Sequence, residues 1–306
     1  MKYLSKIIGF ACIIAATGFA SCSDDNEDLV PGQTVDNFFA PDSDDNSEEA
    51  RMRRDFYKGN GIYLLFSDTL ATYIDSNGLE RVETIDFRWT SLVTHDVHTT
   101  VTYEKIPESQ RQASVDWATA YFLPYIKEGK LKPYSILLVD NLMVNTGYSP
   151  KKAAFYNTWR CFTMNMSDTH GVEGKEAKAL GKTMLRNLVD QKLTEYSPEL
   201  SDFFAVCEEY YKADIIDFFP DWAYEQDIEQ IYSIGFLNYN PDWYDEPEYD
   251  YMPYPSHDLE SFKDAVFNED EAEFREKWAE YPIIIQKYDL LLECFENLGV
   301  NLKAVQ

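Results

Sequence analysis

Residues 61–66 read Gly-Ile-Tyr-Leu-Leu-Phe, a short apolar run behind a glycine, and predict a buried strand. Residues 84–89 alternate apolar and polar positions with period two, which predicts a half-exposed strand. Residues 97–103 are again rich in β-branched side chains. Over 109–128, Ala113, Trp117, Ala120, Tyr121 and Leu123 form an apolar helical face. Residues 135–139 predict a further strand, and 155–166 a strand pairing near a sheet edge. The period then changes. Ala177, Leu180, Met184 and Leu188 recur at helical spacing over 174–193. Ser197-Pro198-Glu199 marks the start of a helix carrying Leu200, Phe203, Phe204, Cys207, Tyr210 and Tyr211. A helix over 224–236 follows, then an ordered loop over 238–255. Two helices over 258–280 and 282–298 close the chain, with Gly299 as the stop. The pattern predicts an α+β fold: a mixed sheet in the N-terminal half packed on a helical C-terminal half, as one domain over 51–306.

The first fifty residues follow other rules. Lys2 and Lys6 precede an apolar run over 7–17, too short for a permanent membrane span. Phe19-Ala20-Ser21-Cys22 then resembles the lipobox of bacterial lipoproteins. The resemblance implies a signal peptide over 1–21 and acylation of Cys22. Ser23-Asp24-Asp25-Asn26-Glu27-Asp28 resembles the acidic tag that sends Bacteroides-type lipoproteins to the outer face of the outer membrane. The partner implied at this end is the membrane itself, held through acyl chains at about 0.8 kcal/mol per buried methylene. Residues 22–50 are too polar to bury much surface and read as an acidic flexible tether.

Charge narrows the function. With 54 acidic against 27 basic residues the net charge is −27, a surface that repels nucleic acid. Beyond the lipobox, Cys161, Cys207 and Cys294 have no metal-ligand spacing. They form one disulfide and a free thiol, or three buried thiols.

Motifs for catalysis are missing: the sequence holds no nucleophile elbow, P-loop, EF-hand loop or H-E-x-x-H. His95 and His98 point to opposite faces of a strand, a poor chelate. His170, in Ser167-Asp168-Thr169-His170-Gly171, forms either a metal or acid/base pair with Asp168 or part of a capped turn. His257, in Pro255-Ser256-His257-Asp258, stands where a helix starts.

Four stretches share their order with a known family. They are residues 61–66, the run Pro133-Tyr134-Ser135-Ile136-Leu137-Leu138-Val139, the run Phe162-Thr163-Met164-Asn165-Met166, and residues 283–302. In that order they resemble the zinc-binding metallopeptidases among Bacteroides-type lipoproteins, proteins found beside polysaccharide-uptake components of the outer membrane. The resemblance implies a zincin-like fold with its zinc helix at 176–193. There Arg186, Asn187 and Asp190 stand where the family has His, Glu and His, and Gln230 stands at the third ligand position. A register one residue away places Glu229 there. A guanidinium has no lone pair for zinc, and an amide is no general base. The resemblance therefore implies the scaffold without the activity and without a cofactor. Arg186 and Asp190, at i, i+4, are placed to form a salt bridge instead of a metal site. The rival is an active zinc metallopeptidase with non-standard ligands, His170 and His257 among them.

One loop combines rings and acids: Asp242, Trp243, Tyr244, Asp245, Tyr249 and Tyr251. Rings stack on sugar faces and carboxylates accept hydroxyl hydrogen bonds; the same acids suit calcium. The bland alternative is a surface loop pinned by its aromatic residues. The expectation is a non-catalytic, surface-exposed outer-membrane lipoprotein. It would bind a glycan, a peptide or a transport partner in a nutrient-uptake system.

Overall fold

A computed structural model describes residues 37–75, 77–85, 87, 99–145, 147, 149–158, 160–243 and 245–305. Cys22, Trp89, His95, His98 and Tyr244 lie outside the described residues, as does the signal segment. In chain order the first elements are α1 (Glu48–Asn60), β1 (Tyr63–Leu65), β2 (Thr69–Ile74), β3 (Glu80–Thr84), β4 (Thr100–Glu104) and α2 (Glu108–Tyr121). Next come β5 (Ser135–Asn145), β6 (Lys151–Lys152), β7 (Phe155–Asn157), β8 (Cys161–Asn165) and α3 (Gly174–Lys192). The helical half continues with α4 (Ser201–Ala205), α5 (Ile215–Phe218), α6 (Trp222–Glu225), α7 (Ile228–Ser233), α8 (Pro255–Asn268), α9 (Glu271–Lys277), α10 (Pro282–Leu298) and α11 (Leu302–Val305). The fold class is α+β with a mixed sheet.

The long strand β5 organises that sheet. β1 and β8 pair with its first half in parallel, with Leu64 opposite Ile136 and Ile136 opposite Phe162. β4 and β6 pair with its second half antiparallel, and β7 closes the sheet antiparallel to β8. Strand alternation then divides the core. Leu64, Ile136, Leu138, Phe162 and Met164 face a large cluster shared with α2, α3, α8 and α10. Leu65, Leu137, Val139 and Cys161 face a smaller cluster with Phe39 and Ile85. Gly181 lets α3 approach α2 closely: a Cβ there would stand 1.8 Å from the Tyr121 carbonyl oxygen. A second close approach locks the C-terminus, where a Cβ on Gly129 would stand 2.5 Å from the Leu298 oxygen. Gly299 turns there at φ +101, and Ile126 bridges to Val300.

Several boundaries differ from the sequence pattern. The compact unit begins at Phe38, so residues 38–50 pack with the domain instead of belonging to the tether. Phe39 is only 4% exposed, and Ser47 caps α1 by accepting from the Ala50 amide. The helix expected after Pro198 stops at Ala205, because Cys207 and Tyr210 bond three residues back and form turns. The helix expected over 224–236 is two, since Gln226 turns left-handed at φ 42 and Asp227 caps a new start. The helix expected over 258–280 is also two, because the Asp270 side chain caps α9. A β2–β3 hairpin, closed by Asp75 accepting the Asn77 and Leu79 amides, was not expected. All three described cysteines are free and buried.

Candidate functional site

Met184, Leu185 and Leu188 turn one side of α3 into the core, which leaves Arg186, Asn187 and Asp190 on its partly open side. Arg186 meets three carboxylates there. Its Nη2 donates to Glu260 Oε2 at 3.0 Å, its Nη1 donates to Asp264, and its Nε lies 3.8 Å from Asp190 Oδ2. Burial works to lower the Arg186 pKa, but Asp264, Asp190 and Glu260 outweigh it and raise it. The expected Arg186–Asp190 bridge is thus one edge of a wider network. Lys263 of α8, only 2% exposed, completes it. Its ammonium donates to Asp190 Oδ1 at 2.8 Å, Glu260 Oε1 at 3.0 Å and the Leu193 carbonyl at 3.2 Å. Asn187 donates to the Thr183 carbonyl at 2.8 Å.

This donor set does not fit zinc. Cations already hold Asp190 and Glu260, and no group of three or more His, Cys, Asp or Glu able to hold a metal occurs among the described residues. Gln230 lies on α7, which packs on α10, and its amide oxygen is buried without a partner. Beside the network opens a cavity of about 280 Å³, lined by Asp190, Thr194, Tyr196, Ser256, Glu260 and Lys263. Sequence reading missed Lys263, although its i, i+3 spacing from Glu260 was a usable signal.

The histidines are held apart. His170 Nε2 lies 3.1 Å from Asp140 Oδ1, while Asp168 pairs with Lys152. The segment is a capped turn, with Asn165 accepting the Ser167 amide, and the alternative Asp168–His170 pair is replaced by partners from β5 and β6. His257 Nδ1 lies 3.0 Å from Asn240 Oδ1, so it joins the 238–255 loop to α8.

That loop is built around one buried acid. Asp250 is 2% exposed. Its Oδ1 accepts the Asp242 amide at 2.7 Å, and its Oδ2 accepts Trp222 Nε1 at 2.8 Å and Gln226 Nε2 at 3.3 Å. Backbone bridges tie Tyr251 to both Asn240 and Asp214. Asp245 sits in a left-handed turn at φ 58. Between these fixed points Trp243 is 91% exposed, and Tyr249 and Tyr251 are also exposed. Tyr224, on the helix that Asp250 anchors, is 87% exposed.

A second charged cluster lies in the core behind the loop, and sequence reading missed it. Lys287 of α10 and Asp258 of α8 pair at 2.6 Å with side chains 0% and 1% exposed. Lys287 also donates to the Gly235 carbonyl at 3.0 Å, and Tyr211 donates to Asp258 at 2.6 Å. The rings of Phe203, Phe236 and Phe262 enclose the ammonium at 4.7–4.8 Å. Desolvation raises the Asp258 carboxyl above its ordinary value, with Lys287 and Tyr211 pulling it down. Burial also pushes the neighbouring Cys207 thiol up to about 11.

No family model, curated protein or solved structure matches the chain.

Proposed function

We propose that this chain is a surface-exposed, lipid-anchored outer-membrane lipoprotein on a metallopeptidase-like, zincin-like scaffold, and that it binds instead of cleaving. Its ligand is a glycan of a nutrient-uptake system, with a peptide or a transport partner as the other occupants of the same surface. The reading rests chiefly on Trp243. A nearly fully exposed indole keeps a large apolar area in water, a cost that a ligand-stacking role accounts for. The loop that carries it is pre-ordered by a buried carboxylate with three donors, so little entropy is lost on binding. The charged face on α3 supports the non-catalytic half of the reading, because its carboxylates are committed to Arg186 and Lys263.

The test uses the purified chain on a glycan array, with metal analysis and a peptide-cleavage assay alongside. Saturable glycan binding lost in Trp243→Ala, with an unchanged melting temperature, supports the reading. Stoichiometric zinc with cleavage of any peptide overturns it.

A further inference from the structure

A separate cavity of about 340 Å³ lies between α2 and the turn before α3, walled by Trp117, Tyr121, Asp116, His170 and Glu173. Its volume is that of a small-molecule site. The proposed function does not use it, and its chemistry differs from that of the Trp243 loop.

The side-chain donors around this cavity are nearly all spent. Ser114 Oγ donates to the Gln110 carbonyl at 3.0 Å, and Thr169 Oγ1 donates to the Met166 carbonyl at 2.8 Å. Trp117 Nε1 donates to the Val172 carbonyl at 3.2 Å. Tyr121 Oη accepts the Gly174 amide at 3.3 Å, and its own O–H is the one donor left.

Apart from that O–H, the side chains offer acceptors and ring faces. Asp116 takes one bond, from Gln112 Nε2 at 2.7 Å, and keeps its other oxygen. Glu173 makes no side-chain cap bond to α3. His170 is oriented by Asp140 behind it. A carboxylate only accepts, so Nε2 carries a hydrogen toward Asp140. Trp117 and Tyr121, with centroids 5.6 Å apart, add two electron-rich rings. No Lys or Arg lines the cavity.

With one side-chain donor against several acceptors and no cation, the lining disfavours an anion and favours a donor-rich ligand over a hydroxyl. A primary ammonium brings three donors, no acceptor and a charge that suits both carboxylates and rings. The net charge of −27 also draws cations toward the surface. We infer that the cavity binds a primary alkylammonium group, supplied either by a free amine or by a lysine side chain of a peptide.

Titration calorimetry on the purified full-length chain at fixed ionic strength tests this. The probes are n-butylammonium, an acetylated and amidated Gly-Lys-Gly peptide, and methyl α-glucoside. Saturable binding of either amine, weakened at least about tenfold in Asp116→Asn/Glu173→Gln, supports the assignment; tenfold is about 1.4 kcal/mol. Tighter binding of the peptide identifies lysine as the source, and equal or tighter binding of butylammonium identifies a free amine. Both substitutions are at exposed positions, and an unchanged circular dichroism spectrum checks folding. Absence of saturable amine binding overturns the inference. So does amine binding that the double substitution leaves intact, and so does glucoside binding to the cavity that the same substitution abolishes. Loss of glycan binding in Trp243→Ala leaves this result untouched, so the two readings fail separately.

Discussion

On the side of α8 that faces α10, Asp258 and Lys287 meet where water does not reach, ringed by three phenylalanines. On the side that faces α3, Glu260, Lys263 and Asp264 meet Arg186 and Asp190 at the border of solvent. Both sides use the same ion types at similar distances. Their environments differ, and environment decides what a charge is worth. In the core the attraction is strong, but each partner depends on the other to offset its desolvation. At the border, water screens the pairs and takes over when one is lost. The first cluster is a pin that holds α8, α10, Tyr211 and Gly235 in one arrangement. The second is an adjustable surface beside an open cavity.

Four measurements would break or sharpen this contrast. Lys287→Met leaves an uncompensated carboxylate in the core and is expected to cost about 3–5 kcal/mol in urea unfolding. Adding Asp258→Leu is expected to recover much of that loss. A single-mutant cost near zero would erase the distinction. Lys263→Met is expected to cost less, about 1–2 kcal/mol, because Asp190 and Glu260 can turn to water. Arg186→Gln is expected to cost below about 1 kcal/mol, and less again at 1 M salt. A salt-insensitive loss larger than that of Lys287→Met would reverse the order.

The fourth measurement uses the buried thiols. Burial pushes Cys161, Cys207 and Cys294 each up to about 11. A raised thiol contributes stability that is complete below its ordinary value of about 8.5 and fades as pH climbs through the folded value. Unfolding midpoints should therefore decline from about pH 8.5 to 11. The decline should be shallower in Cys207→Ala. Native-state alkylation at pH 8 should be slow for all three.

The strands were legible where periodicity was strong. β1, β5 and β8 carry runs of buried residues, and α3 and α10 show plain helical spacing. The breaks were missed. Asp270-Glu271-Ala272-Glu273 carries a local capping signal that the periodicity reading passed over, whereas nothing local marks the left-handed turn at Gln226, whose side chain is held by Asp250. Sites followed the same rule. The Arg186–Asp190 contact could be read from its spacing on one helix, whereas Asp264 lies 78 residues from Arg186 and Asp140 lies 30 from His170. Asp250 looked like one acid among 54 acidic residues, and only its burial singles it out.

The Asn301 amide reaches the Pro124 carbonyl across 177 residues, beside the glycine crossing of the 129 and 299 segments. A seam between positions so far apart closes only when residues 298–301 are present. A chain cut before Leu298 would therefore leave the 124–131 segment without the partners that hold it. Fusing a bulky tag directly behind Val305 would crowd this final stitch.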